Sequence, residues 1–128
     1  MTYHFSKALS LPFDEAITRV TAALAEKGFG VLTTIDVQAT MKKKLDVEFR
    51  PYTILGACNP QFAFKALQVE DKIGVMLPCN VIVQDKGDGQ VEVSAVDPAS
   101  SMKAVENPAL GEVATSVTAL LKEVIESL

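Results

Sequence analysis

The hydrophobic pattern of this chain changes period several times, and these changes limit the folds it can adopt. Residues 3–10 alternate between polar and apolar, which predicts a strand, whereas apolar residues from Pro12 to Gly28 recur at helical spacing. Continued along the chain, the pattern predicts the order β-α-β-α-β-α-β-β-α. No repeat and no linker-like stretch divides the sequence. We therefore expect one domain over residues 1–128.

Local signals predict where several helices begin and end. Gly28 is expected to end the first helix, because glycine readily adopts the left-handed conformation of a helix C-terminus. Asp36 and Asn59 are each expected to cap a following helix by accepting a hydrogen bond from a backbone amide. Pro60 fits the first turn of its helix, where a missing N–H removes no bond. A final helix is predicted over residues 109–127.

The extended segments predict an α+β fold. The apolar run at residues 52–58 does not alternate, which indicates a strand buried on both faces. Residues 72–85 are predicted to be extended, with Pro78 marking a bulge, an edge or a break. The turn DKGDG at 85–89 predicts a hairpin with the alternating segment after it. We expect a mixed, partly antiparallel sheet with helices packed mainly on one face, although the pattern does not define the strand order.

Charge and composition exclude several classes of protein. The formal net charge of −4 argues against a nucleic-acid binder, which normally presents a basic surface to phosphates. The run Lys42-Lys43-Lys44 has acidic neighbours and is interpreted as a solvated helix face. No signal peptide is evident, and no apolar stretch approaches the roughly 18 residues that span a bilayer. We therefore expect a cytoplasmic protein that does not act on membranes, with its cysteines reduced.

The two cysteines, each followed by asparagine, are the main candidates for a site. Cys58 is predicted to end a strand one residue before a helix begins, and the positive end of a helix favours thiolate. Cys79 follows the proline that interrupts a strand pattern, where a side chain can be directed out of the sheet. The candidate ligand-binding residues are Cys58, Asn59, Cys79 and Asn80. The sequence assigns no catalytic residue and no cofactor.

Three interpretations of the cysteines stay open. They are inert core residues, ligands of a small molecule or soft metal such as Cu(I), or groups with thiol chemistry. A structural zinc site needs four ligands, and the chain holds two cysteines and one histidine, so zinc within one subunit is not expected. A site made of two cysteines from each of two subunits stays open. Any metal would be bound by Cys58 and Cys79. The two thiols can meet only if their strands are neighbours.

The remaining polar and sulfur-bearing residues have simpler interpretations. His4 is expected on a sheet face or at the surface rather than as a base, and the methionines are expected to pack in the core. Arg50 and Tyr52 are expected at an exposed strand entry, or at the border of a pocket with the cysteines if the strand ends converge. Acidic pairs such as Glu70-Asp71 are interpreted as solvated loop residues.

Four segments together resemble a known family. They are GFGVLTTIDVQATMKKKL, YTILGACNPQFAFKAL, GVMLPCNVIVQD and VDPASSM, which occur in this order along the chain. This combination resembles the domain of unknown function 302 family of small bacterial and archaeal proteins. The resemblance implies a single α+β domain, commonly a homodimer, with no established biochemical activity. Because the family has no agreed catalytic residues, it implies no role for any residue of this sequence.

Two hypotheses about function follow. The first is a homodimeric, non-catalytic binding module that holds a small ligand or soft metal near the two Cys-Asn motifs. The second is a thiol-based redox enzyme or sensor, with Cys58 as the nucleophile and Cys79 as the resolving cysteine. Both require the two cysteine-bearing strands to be close in space.

Overall fold

Five antiparallel strands form one sheet in the computed structural model, which describes residues 2–128. The strand order is β1-β5-β4-β3-β2, so the two strands that carry the cysteines are neighbours. All four neighbouring pairs are antiparallel. The strands are β1 (His4–Leu9), β2 (Gly30–Asp36), β3 (Tyr52–Cys58), β4 (Cys79–Asp85) and β5 (Val91–Val96).

The main helices cover one face of this sheet. Helices α1 and α5 direct apolar stripes, including Val20 and Leu121, at strand residues such as Val81 and Val93, and all four side chains are fully buried. Burying each valine or leucine stabilises the fold by about 1.5–3 kcal/mol. The α+β fold expected from the sequence is therefore confirmed, but the sheet is antiparallel throughout rather than mixed. The helices are α1 (Phe13–Glu26), α2 (Val37–Leu45), α3 (Pro60–Val69), α4 (Pro98–Ser101) and α5 (Pro108–Glu126).

The other face of the sheet is more open than the sequence indicates. Ile54 of β3 faces its cross-strand partner Ile82 of β4 there, and both side chains are only half-buried. The expectation that β3 is buried on both faces is therefore wrong for this face. Its apolar run does not alternate because the two isoleucines shield each other across the strand pair rather than packing under a helix.

Several predicted element ends agree with the structure. Gly28 has a φ of +85° just beyond α1, which explains why glycine stands there. The Asp36 carboxylate accepts a hydrogen bond from the Ala39 amide at 2.9 Å and caps α2. The hairpin between β4 and β5 and the long C-terminal helix also lie where the pattern predicts them.

The segment before β4 differs from its prediction. Residues Asp71–Met76, expected in part to be extended, form a 3₁₀ helix. Their apolar pattern serves a second, smaller core, in which Ile73 packs with Ala66 of α3 and Leu110 of α5. Pro78 directly precedes β4, so it removes no hydrogen bond from the middle of the ladder. The short helix α4, capped by Asp97, was not predicted.

Gly56 in the middle of β3 allows two other residues to approach its backbone closely. A β-carbon added there would lie 2.7 Å from Cγ of Pro78 and still closer to the hydroxyl of Thr33 on β2. Neither contact is sterically allowed without movement of the neighbour. The absence of a side chain therefore lets β2, β3 and the entry to β4 pack together beside the cysteines.

We expect Gly56→Ala to lower the free energy of unfolding by about 1–3 kcal/mol, because overpacking forces the neighbours to shift. The matched control is Gly111→Ala in α5, where an added β-carbon meets no atom within 4 Å. That control should be neutral or stabilising by up to about 1 kcal/mol, since alanine favours helix. Urea denaturation measures the free energy of unfolding of both variants. Equal stability of the two would contradict the close packing inferred at Gly56.

Candidate functional site

The antiparallel register brings the two cysteines to the same end of the sheet. Cys79, the first residue of β4, lies directly opposite Ala57 of β3, and Cys58 is the next residue along β3. Cys58 in turn lies opposite Gly30 of the edge strand β2. Both thiols are free. The strand adjacency that both functional hypotheses require is therefore present.

An apolar cavity of about 370 Å³ lies at this end of the sheet and is bordered by both cysteines. Its remaining walls come from α3, α5, α4 and the segment that contains the 3₁₀ helix. Among the described residues that line it, none carries a charge. The lining residues are Phe29, Leu32, Ala57, Cys58, Asn59, Phe62, Ala63, Ala66, Leu67, Gly74, Leu77, Pro78, Cys79, Pro98, Met102, Leu110, Val113, Ala114 and Val117.

Asn59 borders the cavity, but its side chain does not cap α3 as the sequence predicted. Its amide instead donates a hydrogen bond to the carbonyl oxygen of Lys27 at 3.3 Å. A carbonyl near the end of α1 lacks an intrahelical partner, which explains why the amide is drawn to it. Asn59 therefore connects the end of α1 to the start of α3 at the border of the cavity.

Asn80 does not border the cavity. Successive side chains of a strand point to opposite faces, so Asn80 lies on the open face while Cys79 points into the core. Asn80 borders a separate groove there, together with His4 and Tyr52. The structure therefore brings together Cys58, Asn59 and Cys79 and separates Asn80 from them.

The other polar candidates also lie away from the cysteines. Arg50 stacks on the ring of Tyr52 with 5.6 Å between its guanidinium carbon and the ring centre, and donates a hydrogen bond to Gln84. Tyr52 begins β3, whereas Cys58 ends it, so neither Arg50 nor Tyr52 borders the cavity. His4 Nδ1 lies 2.9 Å from the hydroxyl of Ser6 on the open face of β1.

The environment of Cys79 keeps its thiol protonated. Burial, together with a smaller effect of the neighbouring Cys58, raises the pKa of this thiol to about 11 from its ordinary value of 9.0. At pH 7, roughly one Cys79 side chain in 10,000 would therefore be a thiolate. No side-chain hydrogen bond to the Cys79 thiol is formed by the part of the chain that the structure describes. Because the thiol is protonated, the wall of the cavity is uncharged at this position.

Two parts of the cavity wall could not be identified from the sequence. Leu32 reaches it from a bulge in β2, where the register with β3 shifts between Val31 and Thr33. Such a bulge changes the direction of a side chain. Met102, interpreted only as a core residue, borders the same cavity as both cysteines. Nothing in their local sequence indicates either position, since both depend on contacts between distant segments.

Neither a clustered metal site nor a membrane span is present in the described part of the chain. Over residues 2–128, no three histidine, cysteine, aspartate or glutamate side chains lie together as they would around a metal ion. Within the same range, no helix combines the length and apolarity needed to cross a membrane.

Comparison with known proteins gives the family of this chain. The model of the domain of unknown function DUF302 matches residues 5–128. The chain belongs to the DUF302 family. The crystal structure of an uncharacterised conserved DUF302 protein from Bacillus stearothermophilus is similar in fold, with a TM-score of 0.90 and 28% sequence identity over 98% of each chain. The resemblance inferred from the cysteine motifs is therefore confirmed.

One curated relative is an uncharacterised protein of Aquifex aeolicus (strain VF5). It is 26% identical over 91 residues, which is 71% of this chain and 57% of that protein. The matched part of the DUF302 chain thus spans little more than half the length of this relative. Neither relative brings an activity with it.

We expect the raised pKa of Cys79 to make the stability of the protein depend on pH above 9. The folded state holds this proton up to about pH 11, whereas the unfolded chain releases it near pH 9.0, so unfolding becomes more favourable as the pH rises through this window. The loss should approach about 3 kcal/mol.

The measurement is urea denaturation of wild type and Cys79→Ala at pH 8 and at pH 11. Other groups also titrate in this range, so the informative quantity is the difference between the two proteins. Between pH 8 and pH 11 that difference should change by about 2 kcal/mol to the disadvantage of the wild type, because only the wild type carries this thiol. A constant difference would contradict the assigned environment of Cys79.

Proposed function

We propose that this DUF302 protein is a non-catalytic module that binds a small, uncharged, apolar molecule in the cavity beside Cys58 and Cys79. The observation that carries the proposal is the cavity itself. Its volume of about 370 Å³ falls in the usual range of ligand pockets, roughly 300–1,000 Å³. Its uncharged lining offers no partner for an ionic group, so apolar contact supplies the binding energy.

Packing supports this proposal over an inert core. Protein interiors are close-packed, and few of their voids exceed a water molecule in size. Here small side chains stand on several walls, with Ala57 on the sheet, Ala63 and Ala66 on α3, and Ala114 on α5. Larger apolar residues at these positions would fill the space. The alanines thus keep open a volume that a ligand can occupy.

We expect Ala66→Leu to weaken the binding of a neutral apolar probe, N-phenyl-1-naphthylamine, by at least about tenfold. The side chain of Ala66 is buried at the cavity wall, so a leucine there occupies the space of the probe. Fluorescence titration gives the dissociation constant. The matched control is Ala25→Leu on the exposed side of α1, which should bind like the wild type.

Three results would overturn the apolar-ligand proposal. One is a wild-type protein that does not bind the probe, and another is equal loss of binding in the two leucine variants. The third is retention of full affinity in a folded Ala66→Leu protein, since the probe would then occupy another surface. Urea denaturation of each variant keeps a loss of binding distinct from a loss of folding.

A soft-metal version of the proposal rests on a separate observation. Three residues that carry sulfur, Cys58, Cys79 and Met102, border the same cavity. Thiolate and thioether ligands favour Cu(I) over harder metals. The cost is the deprotonation of Cys79, whose pKa of about 11 makes metal binding stronger as the pH rises.

We expect Cu(I), if it binds, to lose affinity at least about tenfold in Cys58→Ser and in Cys79→Ser, because each change removes a soft ligand. Met102→Leu should also weaken binding, whereas Met76→Leu, on the exposed 3₁₀ helix, should not. Competition with a chromophoric Cu(I) chelator measures the affinity. Cu(I) bound equally by wild type and Cys79→Ser would contradict this version.

The thiol-based redox hypothesis has weaker support. Cys58 is partly exposed and ends a strand directly before Asn59, which flanks the first turn of α3, and this position suits a nucleophile. The resolving partner would have to be Cys79, whose raised pKa leaves little thiolate at neutral pH. A disulfide could form only after this buried thiol is exposed. We therefore place the binding module first.

We further propose that the module is a homodimer in the cytoplasm. Two free thiols on neighbouring strands suit a reducing compartment. Large apolar side chains that remain exposed in the single chain, such as Leu32 and Leu45, support association with a second copy.

A further inference from the structure

One segment of the chain is largely exposed to solvent. It consists of strand β2, helix α2 and the four residues that follow α2. We name residues 30–49 the arm. All seven residues of β2 except Val31 are exposed, and α2 contains no buried residue. The arm is attached to the body mainly through the pairing of β2 with β3, with smaller contacts from α2 to β3 and from β2 to α1. It is therefore an element with almost no core of its own.

Such an arm lacks the usual source of helix stability. Helices shorter than about 12–15 residues are marginal in water, and most helices in proteins are stabilised by packing an apolar face. Helix α2 has nine residues and only part of its apolar face is covered, since Val37 and Met41 are half-buried whereas Leu45 is 66% exposed. On the adjoining strand, Leu32 is 67% exposed and Ile35 47% exposed. These side chains gain stability only when another surface covers them.

From these observations we infer that the arm is the contact surface for a second copy of this chain. The inference rests on the proposed homodimer and assigns its interface. Strand β2 is at one end of the sheet, so its outer backbone groups face no other strand among the described residues. Pairing of β2 with its own copy across a two-fold axis is antiparallel, as the rest of the sheet is. The pairing would extend the sheet across the dimer.

The charges of the arm favour a copy of itself over an unrelated partner. A two-fold interface must be complementary to itself. The arm carries three lysines and three acidic residues, so that its net charge is zero, and Lys42 already pairs with Asp46 at 3.0 Å. Two arms can therefore approach without net repulsion. The charged residues are Asp36, Lys42, Lys43, Lys44, Asp46 and Glu48.

The size of the arm also fits a dimer. Stable interfaces use roughly 20–30 residues from each partner. Residues 30–49 include sixteen exposed residues, so the arm provides most, but not all, of such an interface.

This interface would connect the dimer to the cavity. Leu32 belongs to the arm and also lines the cavity, and its side chain is mostly exposed in the single chain. A second copy seated on β2 covers Leu32 and so closes one route between the cavity and solvent. Ligand exchange should then be slower in the dimer than in a monomer.

Multi-angle light scattering after gel filtration, at protein concentrations from about 1 to 100 μM, tests the interface. Wild type should be a dimer. Ile35→Glu and Leu45→Glu should each raise the dissociation constant of the dimer at least about tenfold, because each would bury an unpaired carboxylate in the interface. The control Val75→Glu replaces a side chain that is 85% exposed outside the arm, and should remain a dimer. Circular dichroism verifies that each variant is folded.

Hydrogen exchange of the wild type gives a second measurement that needs no substitution. Amides of residues 30–45 should become more protected as the concentration rises and the arm is covered. Two results would overturn the interface but not the homodimer. In one, the wild type is a dimer and the arm variants are dimers too. In the other, the amides that become protected lie outside the arm. A wild type that is monomeric at every concentration would overturn both.

Stopped-flow release of N-phenyl-1-naphthylamine then tests the connection to the cavity. Release from monomeric Ile35→Glu should be several-fold faster than from wild type, with Val75→Glu matching the wild type. Equal release rates would show that the interface does not close the cavity. Absence of probe binding would overturn the ligand proposal alone, because light scattering reports the dimer independently.

Discussion

The antiparallel pairing of β3 with β4 is the interaction on which the candidate site depends. Its register sets Cys79 opposite Ala57 and so brings both cysteines to one end of the sheet. A shift of one residue would turn Cys79 to the open face and Asn80 into the core, because side chains alternate along a strand. The apolar residues Val81 and Val83 hold the register, since the same shift would expose both.

The cavity exists because different helices cover the middle of the sheet and its end near the cysteines. At the middle of the sheet, α1 and α5 bring large side chains against the strands and form the main core. Near the cysteines, the wall facing the sheet comes from α3 and α5, and several of its residues are alanines. The 3₁₀ helix forms a separate small core through Ile73 rather than filling this space. Stability and an open binding volume are thus provided by different residues.

Local sequence predicted the features that depend on a few neighbouring residues. Gly28, Asp36 and Pro60 mark helix ends because their backbone and capping properties act within one turn. The donor role of Asn59 could not be predicted, since it depends on a carbonyl 32 positions earlier in the chain. The strand order, and with it the cavity, depends on contacts between distant segments that periodicity does not report. The local rule for Asn59 failed because a tertiary partner outweighed the adjacent amides.

Alanine methyl NMR of the protein with added N-phenyl-1-naphthylamine tests the binding proposal most directly. The account predicts saturable shifts at the methyl groups of Ala57, Ala63 and Ala66, which line the cavity. The methyl groups of Ala8 on the far edge strand and Ala25 on the exposed side of α1 should not shift. Shifts confined to those two, or no shifts at saturating probe, would contradict the claim that the cavity beside the cysteines is a ligand site.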